Sequence, residues 1–361
     1  METLFTTLKE ELQLADKKTE YILEIIKSII ETKTINLEAI SQVINPNNKP
    51  ESNYRMLQRF FKDFSFVFTH LAKILISYAP EKDRILIIDR TQWKDNNIFF
   101  LAVMYQNIAV PVLWDTLDKK GSTNTLERIS LIEDYVNIFG KENINYLVAD
   151  REFIGKDWFK WLNTSGIKFL IRLKSNFLIE QGIKHKKKVK GTFRYYHSKE
   201  MVAKLFGIEL KIMGKRVNKK DLLIVATNAD EFALDDYSNR WSIECMFSCF
   251  KKKGFNLEST KMTAGYKIDK LIALVSLAYC CCITVGIHYK YKDSTFRKDL
   301  GYRTKSIFKI GLQRLSNTIR NPLFSKDLFT LTFLSYSLQN LYPNFSCLLY
   351  TSDAADERSS V

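Results

Sequence analysis

The sequence predicts an α/β protein built on a mixed sheet flanked by helices. Between Arg84 and Leu173, strand-like and helical patterns follow in the order three strands, helix, strand, helix, strand, which is the order of such a sheet. Two of the strand-like runs, Ile85–Ile88 and Tyr146–Ala149, are apolar throughout. Strands buried on both faces of a sheet have this composition.

Residues 1–80 have only helical periodicity and predict an all-helical N-terminal region. Ser52 is the expected N-cap of a helix that runs to Lys62. Arg55, Arg59 and Lys62 recur at spacings of four and three, so they share one face of this helix. That face either contacts DNA or is the solvated side of an amphipathic helix. We predict a DNA-binding region.

Residues 81–174 form the first part of the predicted core. Asp89 and Asp150 each end an apolar strand, and ligands bind such sheets beyond the carboxyl ends of their strands. A single Asp in this position is commonly a turn former or a helix cap, but here that explanation would be needed twice. The other predicted elements are strands at 99–105, 108–114 and 169–173, and helices at 126–139 and 156–162.

Residues 175–221 predict a basic, β-rich insertion with short strands at 192–196 and 208–213. Between Gly182 and Lys220 there are thirteen Lys or Arg residues and two Glu residues. Aromatic residues, among them Phe193, Tyr195 and Tyr196, are interleaved with these charges, as in surfaces that bind nucleic acid. The alternative is a solvated lysine-rich loop.

Residues 222–290 predict the second part of the core, with a strand at 222–228 and a helix from Tyr237 to Lys251. At 100° per residue, Tyr237, Arg240, Glu244 and Lys251 share one face of this helix. A carboxylate flanked by basic groups suits a site that holds a cation and a polyanion together. The alternative is a solvated face with i, i+4 ion pairs.

Composition restricts the partners. The formal net charge of +15, from 55 Lys and Arg against 40 Asp and Glu, indicates nucleic acid or an anionic membrane. We interpret the apolar run Leu271–Tyr289 as a buried core helix rather than a membrane span. The cysteine spacing predicts neither disulfides nor a zinc site, and free thiols together with the absence of a signal-peptide pattern predict a cytoplasmic protein.

The C-terminal part of the sequence divides into two segments. Residues 291–346 predict a helical region. Residues 347–361 match the translation of an adapter used to prepare sequencing libraries, and we interpret them as a non-native tail. We expect the natural chain to be truncated near Phe345.

Three carboxylates, Asp89, Asp150 and Glu244, are thus expected in one site without His or Cys. Oxygen ligands of this kind suit Mg²⁺ or Mn²⁺. Two such ions about 3.5–4 Å apart activate a water or a 3′-hydroxyl and stabilise the leaving oxygen during displacement at phosphorus. This chemistry is that of nucleases and of DNA strand transfer.

The spacing of Tyr237, Arg240, Glu244 and Lys251 resembles the Tyr-(2)-Arg-(3)-Glu-(6)-Lys signature of DDE transposases of the insertion sequence four family. Residues 87–93 and 148–153 resemble the first and second aspartate blocks of this family, and the resemblance covers roughly residues 50–320. It implies an RNase H-like core interrupted by a β-rich insertion. It also implies two Mg²⁺ or Mn²⁺ ions bound by the three acids, and DNA contacts from Tyr237, Arg240, Lys251, Trp241 and Trp93.

The resemblance further implies cut-and-paste transposition of a bacterial insertion sequence. The enzyme would cleave double-stranded DNA at terminal inverted repeats and join the ends to target DNA, as a homodimer in a synaptic complex near the nucleoid. Two alternatives remain open: a metal-dependent nuclease without strand transfer, and an inactive DNA-binding remnant. Glu152 departs from the family pattern, where many relatives have Gly, and we expect it to face Arg or Lys rather than a metal.

Overall fold

The chain forms two compact units, Ala79–Met246 and Met1–Tyr78 with Phe247–Val361. The structure is a computed structural model. It describes residues 2–93, 95–181, 185–188, 193, 198–217, 221–289, 296–297, 302–303 and 305–321.

The unit Ala79–Met246 is built on one sheet with the strand order β3-β2-β1-β4-β5-β10-β9-β8-β6-β7. Strands β2 and β3 extend β1 in antiparallel pairs, whereas β4 is parallel to both β1 and β5. The strands are β1 (Arg84–Trp93), β2 (Asn96–Tyr105), β3 (Ile108–Leu117), β4 (Ile144–Ala149), β5 (Phe169–Arg172), β6 (Leu178–Gln181), β7 (His185–Lys188), β8 (Ser198–Leu205), β9 (Ile208–Arg216) and β10 (Leu222–Thr227).

Helices α6 (Thr125–Phe139) and α7 (Lys156–Thr164) connect strands of this sheet and contact each other. A capping box starts α6, because Asn124 and Glu127 each accept a hydrogen bond from the other's backbone N–H. This mixed sheet with flanking helices confirms the predicted α/β class and is consistent with an RNase H-like core. The described strands of the insertion continue the same sheet in antiparallel pairs.

Among the predicted boundaries that differ from the structure, those of β1 and of the helix after Asn48 have a clear physical reason. Strand β1 does not end at Asp89 but continues to Trp93. Its pairing with β4 ends at Ile88, but its antiparallel pairing with β2 continues to Trp93. The helix predicted to start at Ser52 begins at Pro50, with Lys49 as its N-cap, since the fixed φ of proline suits the first helical position.

In the residues of the other unit that the structure describes, the regular elements are helices and two short strands. Its central helix, α9 (Gly265–Tyr289), contacts the helices Asp16–Thr32, Pro50–Asp63, Phe68–Ile76 and Ile307–Arg320. Its elements are α1 (Glu2–Glu11), α2 (Asp16–Thr32), α3 (Leu37–Val43), α4 (Pro50–Asp63), α5 (Phe68–Ile76), α9, α10 (Ile307–Arg320) and the strand pair β11 (Phe296–Arg297) and β12 (Tyr302–Arg303). Helix α8 (Trp241–Phe250) precedes α9 in the chain.

Helix α9 is the apolar run that resembles a membrane span. By length and composition alone, it is the one helix within the described residues that meets the requirement for crossing a membrane. Every residue from Lys270 to Ile287 is buried, and the Lys270 ammonium donates to the carbonyl oxygen of Phe61 at 3.0 Å. This burial favours the core-helix interpretation.

Several predictions fall outside the described residues. Of the predicted strand 192–196 only Phe193 is described, and it is buried. Residues 322–361 also lie outside, so the end of the predicted helical region and the adapter-derived segment have no structural description.

Two glycines allow α9 and α10 to approach closely. A Cβ at Gly311 would overlap the carbonyl oxygen of Cys282, and a Cβ at Gly286 would overlap that of Ile307. The colliding atoms are backbone atoms, which cannot move aside as a side chain can. Both helices depend on this contact for their spacing.

We therefore expect Gly311→Ala to destabilise the helical unit by about 1–3 kcal/mol, because overpacking forces the helices apart. Urea-induced unfolding followed by circular dichroism measures the change. Asn317→Ala, on the exposed side of α10, is the matched control and is expected to stay within about 0.5 kcal/mol. Equal urea midpoints for the two variants would contradict the close approach.

Candidate active site

The backbone register of the sheet brings Asp89 and Asp150 side by side. Strands β1 and β4 pair in parallel up to Ile88 and Ala149, and the two acids are the next residues on each chain. The Asp89 side chain is 13% exposed, and its Oδ1 accepts a hydrogen bond from the N–H of Arg90 at 2.8 Å. Two carboxylates therefore lie where the parallel pairing of β1 and β4 ends.

The segment that carries Glu244 is not one α-helix from Tyr237 to Lys251, as the sequence pattern predicted. A 3₁₀ helix, Leu234–Arg240, comes first and α8 follows from Trp241. Such tight turns are frequent at helix N-termini, and a 100° wheel does not describe them. The Tyr237 ring packs into an apolar cluster with Tyr146 and Phe232, which anchors the 3₁₀ helix on the sheet.

Arg240 and Tyr237 connect this segment to the two aspartates. The Arg240 Nη1 lies 3.4 Å from Asp89 Oδ2, and its Nη2 forms an ion pair with Glu244 one turn further on. The Tyr237 hydroxyl donates to Asp150 Oδ1 at 3.3 Å. The carboxylates of Asp89, Asp150 and Glu244 thus each contact a side chain of the 3₁₀ helix Leu234–Arg240.

Burial dominates the electrostatics of the site. Removal from water raises the pKa of Asp89 to about 7, although the Arg240 charge and the Arg90 N–H oppose this rise. Burial also raises the pKa of Tyr237, which keeps its hydroxyl protonated as a donor to Asp150. For Arg240, burial lowers the pKa but the surrounding negative groups raise it more. The guanidinium therefore stays charged.

The chemistry of these donors fits a hard divalent cation, since all three are carboxylates and two of them already pair with one positive charge. No three Asp, Glu, His or Cys side chains of the described part of the chain are close enough together to form a ready cage for a metal ion. The Arg240 guanidinium instead bonds to Asp89 and Glu244. Metal coordination would need these side chains to turn.

The predicted DNA-contacting residues occupy different surroundings. Tyr237 and Arg240 are buried and bonded to the acids, and Trp241 is partly buried. In the helical unit, the Lys251 ammonium lies 3.8 Å from the Glu258 carboxylate, and burial lowers its pKa. The Trp93 side chain lies outside the described part. Contact of these five residues with DNA stays a prediction.

Sequence reasoning missed Arg172, whose Nη1 lies 3.8 Å from Asp150 Oδ1. It ends the apolar strand β5, parallel to β4, so the strand-end pattern that identified the aspartates would also have identified it. The expectation that Glu152 faces a basic residue is confirmed, because its carboxylate lies 3.2 Å from the Arg90 guanidinium.

The comparisons with known proteins extend over residues of both units. Residues 115–281 match the family described as a transposase DDE domain, a range that includes Asp150 and Glu244 and starts after Asp89. Among solved structures, the chain is similar to the piggyBac transposase synaptic complex with hairpin DNA, with 13% identity and a TM-score of 0.46 over 96% of this chain and 80% of that chain. No curated protein sequence matches. The family match supports a DDE transposase domain in this chain.

Proposed function

We propose that this chain is a cut-and-paste transposase of the insertion sequence four family, which cleaves DNA at terminal inverted repeats and transfers the ends to target DNA. The convergence of Asp89, Asp150 and Glu244 on Arg240 and Tyr237 carries the proposal. The match to the transposase DDE domain and the net charge of +15 support it.

In this proposal Asp89, Asp150 and Glu244 hold two Mg²⁺ or Mn²⁺ ions. When bound, these ions would supply an activated oxygen nucleophile and charge stabilisation for the leaving oxygen. Side chains of the protein would orient the three carboxylates. Tyr237 orients Asp150 through its hydroxyl, and Arg240 orients Asp89 and Glu244 through two different nitrogens.

We further propose double-stranded DNA as the substrate and a homodimer in the synaptic complex, in the bacterial cytoplasm near the nucleoid. The basic face of α4 supports a DNA-binding role for the helical region, because Arg55, Arg59 and Lys62 are all exposed. Exposed cations at this spacing are free to meet phosphates. The basic composition of the insertion, with thirteen Lys or Arg residues between Gly182 and Lys220, supports a second DNA-contacting surface.

Glu244→Gln is expected to abolish cleavage of an inverted-repeat duplex in Mg²⁺ while leaving its binding within about twofold. The amide keeps the size of the side chain and an oxygen that accepts from Arg240, but it removes the negative charge that a metal requires. Gel assays of cleavage, joining and binding measure the three activities. Glu133→Gln, on the exposed side of α6, is the control and should match wild type.

Two outcomes of the Glu244→Gln experiment would count against the proposal. Retained cleavage by the variant would show that cleavage does not require the Glu244 carboxylate. Cleavage by the wild-type protein without a joined product, under conditions in which both DNA ends and target DNA are present, would indicate a nuclease that does not transfer strands.

Lys251→Ala is expected to weaken DNA binding and to reduce the slope of log affinity against log salt by about 0.9, the value for one phosphate contact. Fluorescence anisotropy over a salt series measures both quantities. Lys252→Ala, which removes the same charge from the neighbouring exposed residue, is the matched control and should change both less. Equal effects of the two substitutions would argue against a specific phosphate contact by Lys251.

A further inference from the structure

An ion pair joins the residues next to the two aspartates. Arg90 follows Asp89, and its Nη2 lies 3.2 Å from Oε2 of Glu152, two residues after Asp150. Both side chains are partly buried, with exposed fractions of 17% and 27%. Solvent therefore screens this pair less than a surface pair.

This pair lies just beyond the last backbone pairing between β1 and β4. The parallel pairing stops at Ile88 and Ala149. Beyond that level β1 pairs only with β2, and the chain after β4 turns into the 3₁₀ helix Arg151–Phe153. The Arg90–Glu152 ion pair therefore links the two acid-bearing chains beyond the last backbone pairing.

Hydrogen bonds from other residues fix both members of the pair. Arg128 of α6, which is buried, donates to the Glu152 carbonyl oxygen at 3.1 Å and to the Thr123 carbonyl oxygen at 2.7 Å. Its guanidinium also lies over the Phe153 ring. The Glu152 backbone is thus fixed independently of its carboxylate.

On the other side, Arg90 Nη1 donates to Asn97 Oδ1 at 2.9 Å. Asn97 is fully buried and donates in turn to the carbonyl oxygens of Lys119 and Gly121 at 2.8 and 2.9 Å. The Arg90 guanidinium is therefore held in one orientation, with one nitrogen toward Asn97 and the other toward Glu152.

We propose that Arg90 and Glu152 are positioning residues, whose ion pair sets the distance between Asp89 and Asp150 and so the affinity of the site for divalent cations. This inference rests on the proposed metal-dependent function. Groups that orient metal ligands typically change metal affinity by about 10–100-fold when they are removed. Neither residue contacts the metal or the DNA in this proposal.

Mn²⁺ titration of the full chain without DNA, followed by electron paramagnetic resonance, tests the proposal. Charge alone predicts opposite effects, since Arg90→Gln leaves the site more negative and Glu152→Gln leaves it less negative. Positioning predicts that both substitutions weaken Mn²⁺ binding by about 10–100-fold. It also predicts that the double variant Arg90→Glu with Glu152→Arg binds more tightly than either of these reversals alone.

The exposed pair of Lys168 and Glu231, 2.6 Å apart in the same unit, provides the control. Lys168→Gln and Glu231→Gln remove the same charges without touching the acids, and are expected to leave Mn²⁺ affinity within about twofold. Circular dichroism establishes that each variant is folded.

The outcomes separate this inference from the proposed function. Wild-type affinity in both Arg90→Gln and Glu152→Gln, or tighter binding in Arg90→Gln, overturns the positioning role while leaving the metal site intact. A wild-type chain that binds no Mn²⁺ overturns the proposed function, and the positioning role with it. Weaker binding in both single variants with recovery in the double reversal supports the positioning role.

Discussion

The site depends on one buried guanidinium. Arg240 bonds to Asp89 and Glu244 with different nitrogens, and its side chain and that of Asp89 are only 10% and 13% exposed. Removing one member of such a buried pair leaves an uncompensated charge, at a cost of about 3–5 kcal/mol. The positive charge of Arg240 therefore offsets the repulsion between the carboxylates of Asp89 and Glu244.

The mixed sheet makes this arrangement possible. Parallel pairing of β1 with β4 places Asp89 and Asp150 at the same level, and the same pairing pattern places Arg172 at the end of β5. The 3₁₀ helix then brings Tyr237 and Arg240 onto these strand ends, because the Tyr237 ring is anchored among Tyr146 and Phe232. Burial of the site raises the pKa of Asp89 to about 7, so a cation that binds this carboxyl near neutral pH competes with a proton.

Much of the core could be predicted from local patterns. The apolar strands that precede Asp89 and Asp150, and the helices between them, follow from residue periodicity that a short window contains. The proximity of the two aspartates followed from a rule about strand ends. The i, i+4 ion pair of Arg240 and Glu244 belonged to the alternative interpretation of this segment as a solvated face.

The remainder depends on contacts between distant parts of the chain, which no local window contains. Strand β1 continues past Asp89 because β2 pairs with it, and the turns before Trp241 are 3₁₀ rather than α-helical. The Arg128 contact with the Glu152 backbone joins residues 24 positions apart. Their side chains have no periodic pattern that would have indicated this contact.

Iron-directed cleavage of the polypeptide tests most directly whether the three acids form one cation-binding pocket. Fe²⁺ bound in the pocket, with ascorbate and peroxide, generates radicals that cut the nearby backbone, and mass spectrometry locates the cuts. We expect cuts close to Asp89, Asp150 and Glu244 together, with all three suppressed by excess Mg²⁺. Cuts beside only one of these residues, or cuts that Mg²⁺ does not suppress, would contradict a shared pocket.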